Sequence, residues 1–146
     1  MKKEIQTQIS EYCGYLHEWN ASYEEYSKSV GLSYTGLTIL GELYGHENYT
    51  QKELVERCFL PKQTVNAIIT SFWKNGWVRL EELPEDRRNK TVNLTEEGRA
   101  KAAEILSRVR GSERKAMEQL TEEQREMLVT LTRAYITKCI EAMKNG

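Results

Sequence analysis

Apolar residues recur along most of this chain at three- and four-residue steps, the period of a helix that buries one stripe. Ile5, Ile9, Cys13, Leu16, Trp19, Tyr23 and Tyr26 keep that step and predict a long first helix ending near Gly31. Ser33 is placed to cap a second helix through Leu37, Leu40 and Leu43, which stops between Gly45 and Asn48. Thr50-Gln51-Lys52-Glu53 reads as a capping box, in which hydroxyl and carboxylate each satisfy a free backbone amide, and it opens a short third helix ending near Cys58. After a turn at Phe59 and Leu60, Pro61 suits the first turn of a fourth helix, where its missing amide costs nothing, and Gly76 can end that helix.

The period then changes. Trp77 to Leu83 is a β-prone run, Pro84-Glu85-Asp86 is turn-forming, and Thr91-Val92-Asn93-Leu94 alternates, so the segment predicts a β-hairpin. Thr95 is a good cap for a fifth helix through Ala102, Ala103, Leu106 and Val109, with Gly111 and Ser112 expected to kink or loosen it. A second capping box, Thr121 to Gln124, starts a final helix with Met127, Leu128, Leu131, Tyr135, Ile136 and Ile140 on one face. The expected fold is mainly α with a small β-hairpin: a winged helix-turn-helix flanked by long N- and C-terminal helices.

Composition narrows the function classes. The 146 residues suit one domain, 1–146, with no internal repeat or low-complexity linker. A mean hydropathy of -0.67 is low for a self-contained core and points to a partner subunit. No apolar run approaches the ~18 residues of a membrane span, and the start is polar, so a cytoplasmic protein is expected. Cys13, Cys58 and Cys139 are odd in number and widely spaced, and His17 and His46 have no ligand-spaced neighbours, so neither disulfide, metal nor cofactor is expected. Without a nucleophile elbow, a glycine-rich phosphate loop or paired histidines, an enzyme is not expected either.

The net charge of -1 argues against coating nucleic acid by bulk positive charge, but the signs are unevenly spread. Up to Glu56 the chain carries 4 basic and 9 acidic residues. From Arg57 to Leu80 it holds Arg57, Lys62, Lys74 and Arg79 and no acid, and Arg87, Arg88 and Lys90 follow shortly after. A polyanion would dock there. On a helical wheel of the fourth helix, Lys62, Gln63, Asn66, Thr70 and Lys74 share one side and Val65, Ile68, Ile69 and Phe72 the other. Amides pair with adenine edges and lysines with guanine or phosphate, so that polar side, with Pro61 and Thr64 at its start, is suited to major-groove readout.

The stretch Asp86-Arg87-Arg88-Asn89-Lys90-Thr91-Val92-Asn93-Leu94-Thr95-Glu96-Glu97-Gly98, preceded by Gly76-Trp77-Val78, carries the pattern D-x-R-x-x-x-V-x-L-T-x-x-G. It resembles the wing of the multiple antibiotic resistance regulator (MarR) family, and the resemblance extends over nearly the whole chain. It implies a homodimeric winged-helix transcription factor, usually a repressor of a pseudo-palindromic operator on double-stranded DNA, released by small molecules or oxidants. Arg88 takes the place of the wing arginine that enters the minor groove, where negative potential is concentrated, Asp86 that of the acid orienting it, and Arg87 lies beside them. Ala67 and Leu80 stand where many relatives carry arginine.

Within that frame, 33–94 is the expected DNA-binding lobe. Segments 1–31 and 95–146 are the expected dimerisation helices, whose apolar stripes exceed what one small winged-helix core covers. Seven of the eight tyrosines lie in the first third of the chain. Tyr12, Cys13, Trp19, Tyr23 and Tyr34 are candidates to line a pocket for an aromatic or phenolic effector, the alternative being core and interface packing. Cys13 also admits a peroxide sensor, as in one branch of the family, and a winged helix that binds a protein partner is the competing function.

Overall fold

The computed structural model describes residues 2–146, apart from the Arg87 side chain. Four of the six helices among the described residues start where a side chain satisfies a free amide. Helix α1, Ile5–Ser29, ends at Gly31, whose positive φ lets Leu32 N–H reach back to the Ser27 carbonyl. Helix α2, Tyr34–Gly45, is capped by Ser33 Oγ, which accepts from Gly36 N–H at 3.0 Å. A short strand β1, Tyr49–Thr50, leads into α3, Gln51–Cys58, through the anticipated capping box at Thr50 and Glu53. Helix α4 spans Lys62–Lys74, with Pro61 at its N-cap.

Strands β2, Val78–Leu83, and β3, Asp86–Leu94, form the hairpin. Helices α5, Glu96–Glu118, and α6, Glu122–Asn145, follow, the second opened by the Thr121–Gln124 capping box. No helix among the described residues is long and apolar enough to cross a membrane.

Three features differ from the sequence expectation. The hairpin gains β1 as a third strand, in the order β1-β3-β2, all antiparallel. Two residues are too few to show alternation, so only tertiary pairing with Val92 and Thr91 reveals that strand. Strand β3 starts at Asp86, not Thr91, and carries the basic cluster within it. Helix α5 runs unbroken through Gly111 and Ser112, because a lone glycine is tolerated within an otherwise helical run, and the Ser112 hydroxyl donates back to the Arg108 carbonyl at 2.8 Å.

The chain divides into two compact units, one ending at Ile105 and the other comprising Leu106–Gly146. In the first, Ile39, Leu40 and Leu43 of α2, Leu54 of α3, Val65, Ile69 and Phe72 of α4, and Val78 and Val92 of the sheet make the core. Tyr26 of α1 donates its hydroxyl to the Ile105 carbonyl of α5 at 2.6 Å. In the second, α6 has no buried residue, and Leu128, Leu131, Tyr135, Ile136 and Ile140 are 38–60% exposed.

Candidate nucleic-acid interface

Helix α4 is amphipathic because its apolar side chains repeat at helical spacing and dock on the core. Val65, Ile69 and Phe72 are buried, whereas Lys62, Gln63, Asn66, Thr70 and Lys74 are exposed along the other side, with Pro61 exposed at the start and Thr64 half-buried. Thr70 Oγ1 donates to the Asn66 carbonyl at 2.8 Å, so its lone pairs remain outward as acceptors. Lys62 and Lys74 have no ion-pair partner among the described residues. The exposed Trp73 belongs to the same surface and was not singled out by the polar pattern.

The wing tip is shaped by a register shift. Glu82 faces Lys90 while Leu83 faces Asp86, which leaves the intervening β3 residues bulged from the ladder. Arg88 sits on that bulge, exposed and without an ion-pair partner among the described residues. Asp86 orients it through the backbone: one carboxylate oxygen accepts the Arg88 amide at 3.0 Å and the other accepts Asn89 Nδ2 at 3.1 Å. The bulge brings the Arg88 amide, not its guanidinium, to the acid. The Arg87 side chain, also assigned to this contact, lies outside the described residues. Arg79 is committed elsewhere, donating to the Leu94 carbonyl at 2.9 Å and to Glu81 at 2.6 Å.

Two residues that sequence reasoning missed hold the wing to the helix-turn-helix. Asn48, in the left-handed region at φ 60°, donates its amide to Asn93 Oδ1 at 2.8 Å, and Asn93 Nδ2 returns a bond to Asn48 Oδ1 at 3.1 Å. Alternation places Asn93 between buried Val92 and Leu94, on the face expected to meet water, yet it is only 7% exposed. A polar residue beside Asn48 at a turn was the available signal. Asn93→Ala is expected to cost about 1–2 kcal/mol, because it removes both bonds while Asn48 can rehydrate. A urea midpoint unchanged from wild type would refute that.

The base of the wing explains its motif. The Trp77 carbonyl accepts Thr95 N–H at 2.9 Å, and Thr95 Oγ1 donates to the Gly76 carbonyl at 2.6 Å while accepting Gly98 N–H at 3.0 Å. A Cβ on Gly98 would stand 1.9 Å from the Trp77 carbonyl oxygen. Leu-Thr-x-x-Gly is thus a helix cap and a close approach at once.

At the β1 edge of the sheet, Tyr49 donates its hydroxyl to Glu42 at 2.9 Å, and Arg57 lies 3.5 Å from the same carboxylate. Burial, then the Glu42 carboxylate, hold the Tyr49 phenol above its ordinary pKa, so it remains a neutral donor. Burial likewise pushes the Cys58 thiol up, away from thiolate chemistry.

Of the effector-pocket residues, the structure brings three together. Tyr23 and Tyr34 stack with centroids 5.3 Å apart and planes 6° apart, and Trp19 leans on Tyr23 at 5.5 Å. Tyr12 and Cys13 are half-buried two turns earlier on α1.

Residues 30–89, from the end of α1 to the wing tip, match the model of the MarR family. Over that segment the chain is similar to the MarR family. Its similarity to curated MarR-type regulators is partial. It is 34% identical over 77 residues to the HTH-type transcriptional regulator SarZ of Staphylococcus epidermidis, covering 53% of this chain and 52% of that one. To SarZ of Staphylococcus aureus it is 33% identical over 78 residues, covering 53% of each. The match thus spans about half the length of these curated relatives.

Solved structures of the MarR fold extend the likeness in shape. A MarR family regulator from Neisseria meningitidis superposes with a TM-score of 0.80 at 22% identity, covering 94% of this chain and 97% of its own. MepR of S. aureus in its DNA-binding conformation gives 0.75 at 20%, covering 93% and 98%.

Proposed function

We propose that this protein is a DNA-binding transcriptional regulator of the MarR type, working as a homodimeric repressor of a pseudo-palindromic operator and released by a small aromatic ligand. The observation that carries the reading is one rigid device with two polar, cationic ends. An exposed face of α4 offers amides, hydroxyls and lysines, and a wing tip offers Arg88, with the sheet and the Asn48–Asn93 pair holding the two together. Helix α4 suits the major groove, and Arg88 suits the narrow minor groove beside it.

The dimer is supported by α6. A helix of 24 residues with none buried needs cover, since propensity alone leaves such a helix marginal in water. A second copy supplies it, with 1–31 and 95–146 as the dimerisation helices and 33–94 as the DNA-binding lobe. Two α4 helices would then lie about one DNA turn apart, ~34 Å. The stacked rings of Tyr23 and Tyr34, with Trp19 tilted against Tyr23, suit a planar phenolic effector.

Selection of sites from random duplex DNA tests the reading. Affinity for the selected site is expected to fall steeply as salt rises, and Arg88→Ala to weaken binding by ~1–3 kcal/mol and flatten the salt slope. Equal binding by Arg88→Ala and wild type at moderate salt would remove the wing from the interface. No selected sequence at all would remove the regulator reading. Release of the bound site by a phenolic compound, screened by anisotropy, tests the effector.

A further inference from the structure

Phe59, in the turn between α3 and α4, is 92% exposed and has left-handed backbone angles, φ 54° and ψ 41°. Among the described residues only Asn48 shares a positive φ without being glycine. Asn48 has a reason, since asparagine tolerates this region and its side chain is bonded to Asn93. Phenylalanine tolerates it poorly, and glycine would sit there without strain. The left-handed angles end α3, whose C-cap is Phe59, but glycine would serve there equally, and the ring itself stands almost wholly in water. The surroundings are specific. Phe59 lies two residues before Pro61, the N-cap of α4, in the sequence window from Arg57 to Leu80 that holds no acid, and both Arg57 and Lys62 are exposed.

We infer that Phe59 is a DNA-contacting residue, an apolar ring that packs on the hydrophobic surface of the operator, thymine 5-methyl or deoxyribose, as the N-terminus of α4 enters the groove. This rests on the regulator reading above. The exposed cations Arg57, which also lies by Glu42, and Lys62, which has no ion-pair partner among the described residues, suit a polyanion, and aromatic contact with a thymine methyl is a recognised form of base readout. The N-terminal residues of a recognition helix are those that meet base edges. Strain and exposure in the free protein are then offset only in the complex.

The test compares wild type with Phe59→Gly and Phe59→Leu on a selected operator, alongside the thermal midpoint of each free protein. Phe59→Gly is expected to melt at the same temperature or about 2–4 °C higher, since strain is relieved and no packing is lost. It is expected to bind about tenfold more weakly, with Phe59→Leu between the two. The slope of affinity against salt should stay at the wild-type value, because no phosphate contact is removed. An operator with uracil for thymine separates the sources: loss of the difference between wild type and Phe59→Gly assigns the methyl, and persistence assigns the sugar. Wild-type affinity in Phe59→Gly overturns the inference while leaving the regulator reading intact. Weaker binding together with a lower melting temperature makes the ring structural and also overturns it. A wild-type protein with no preferred DNA site ends both readings.

Discussion

Gly98→Ala is expected to destabilise the free protein by roughly 3 kcal/mol or more, with a large fall in its urea midpoint. Helix propensity alone gives the opposite sign, since alanine in a helix is favoured over glycine by about 1 kcal/mol. The steric term decides. The added methyl would stand 1.9 Å from the Trp77 carbonyl oxygen and 2.7 Å from its carbon. These are backbone atoms with no rotamer to escape into. Moving them away also strains the 2.9 Å bond from Thr95 N–H to that carbonyl, and with it the cap on α5. Loss should appear equally by circular dichroism and tryptophan fluorescence, because Trp77 packs on Phe72 with centroids 5.4 Å apart. A variant as stable as wild type would show that the start of α5 can slide from β2 at no cost.

Leu128→Glu is expected to convert a species of twice the 17.0 kDa chain mass into one of chain mass at micromolar concentration, read by sedimentation equilibrium. Leu128, Leu131, Tyr135 and Cys139 fall on one stripe of α6, and Leu128 is 46% exposed in the single chain. A carboxylate at the centre of an apolar contact between copies would be desolvated without a partner, at a cost of several kcal/mol. Operator affinity should drop in parallel by about 10²–10³-fold, because two half-site contacts no longer share one molecule. A variant that stays dimeric and binds DNA as before would place the dimer contact elsewhere.

Much of the architecture was legible along the chain, because helix starts are local events. The caps at Ser33, Thr50, Thr95 and Thr121 each bond within the next three residues, so their sequence signatures carry over directly. The apolar face of α4 was legible for the same reason, through its periodicity. Strand β1 was not, since two residues show no period, and the kink expected at Gly111 was absent because a lone glycine is tolerated within a helix that otherwise keeps its ladder.

Within the candidate site, Lys62, Gln63, Asn66, Thr70 and Lys74 were placed correctly on an exposed face, and Arg88 at an exposed tip. The role of Asp86 was not legible. Whether its carboxylate meets a guanidinium or an amide depends on how far β3 bulges, and the bulge is a property of pairing with β2. Phe59 was read as a plain turn residue, because its backbone angles and its exposure are both invisible in a string of letters.

By itself the sequence determined the number and order of the helices, the hairpin, the concentration of cations from Arg57 to Lys90, and the family pattern that joins them. These follow from local caps, periodicity and charge, which need only near neighbours. Tertiary structure alone decided why the motif's last glycine admits no side chain, which polar residues lock the wing, and which apolar side chains remain in water. Each depends on groups far apart in sequence: Trp77 with Gly98, Asn48 with Asn93 at a separation of 45 residues, and α6 with a surface that its own chain leaves uncovered.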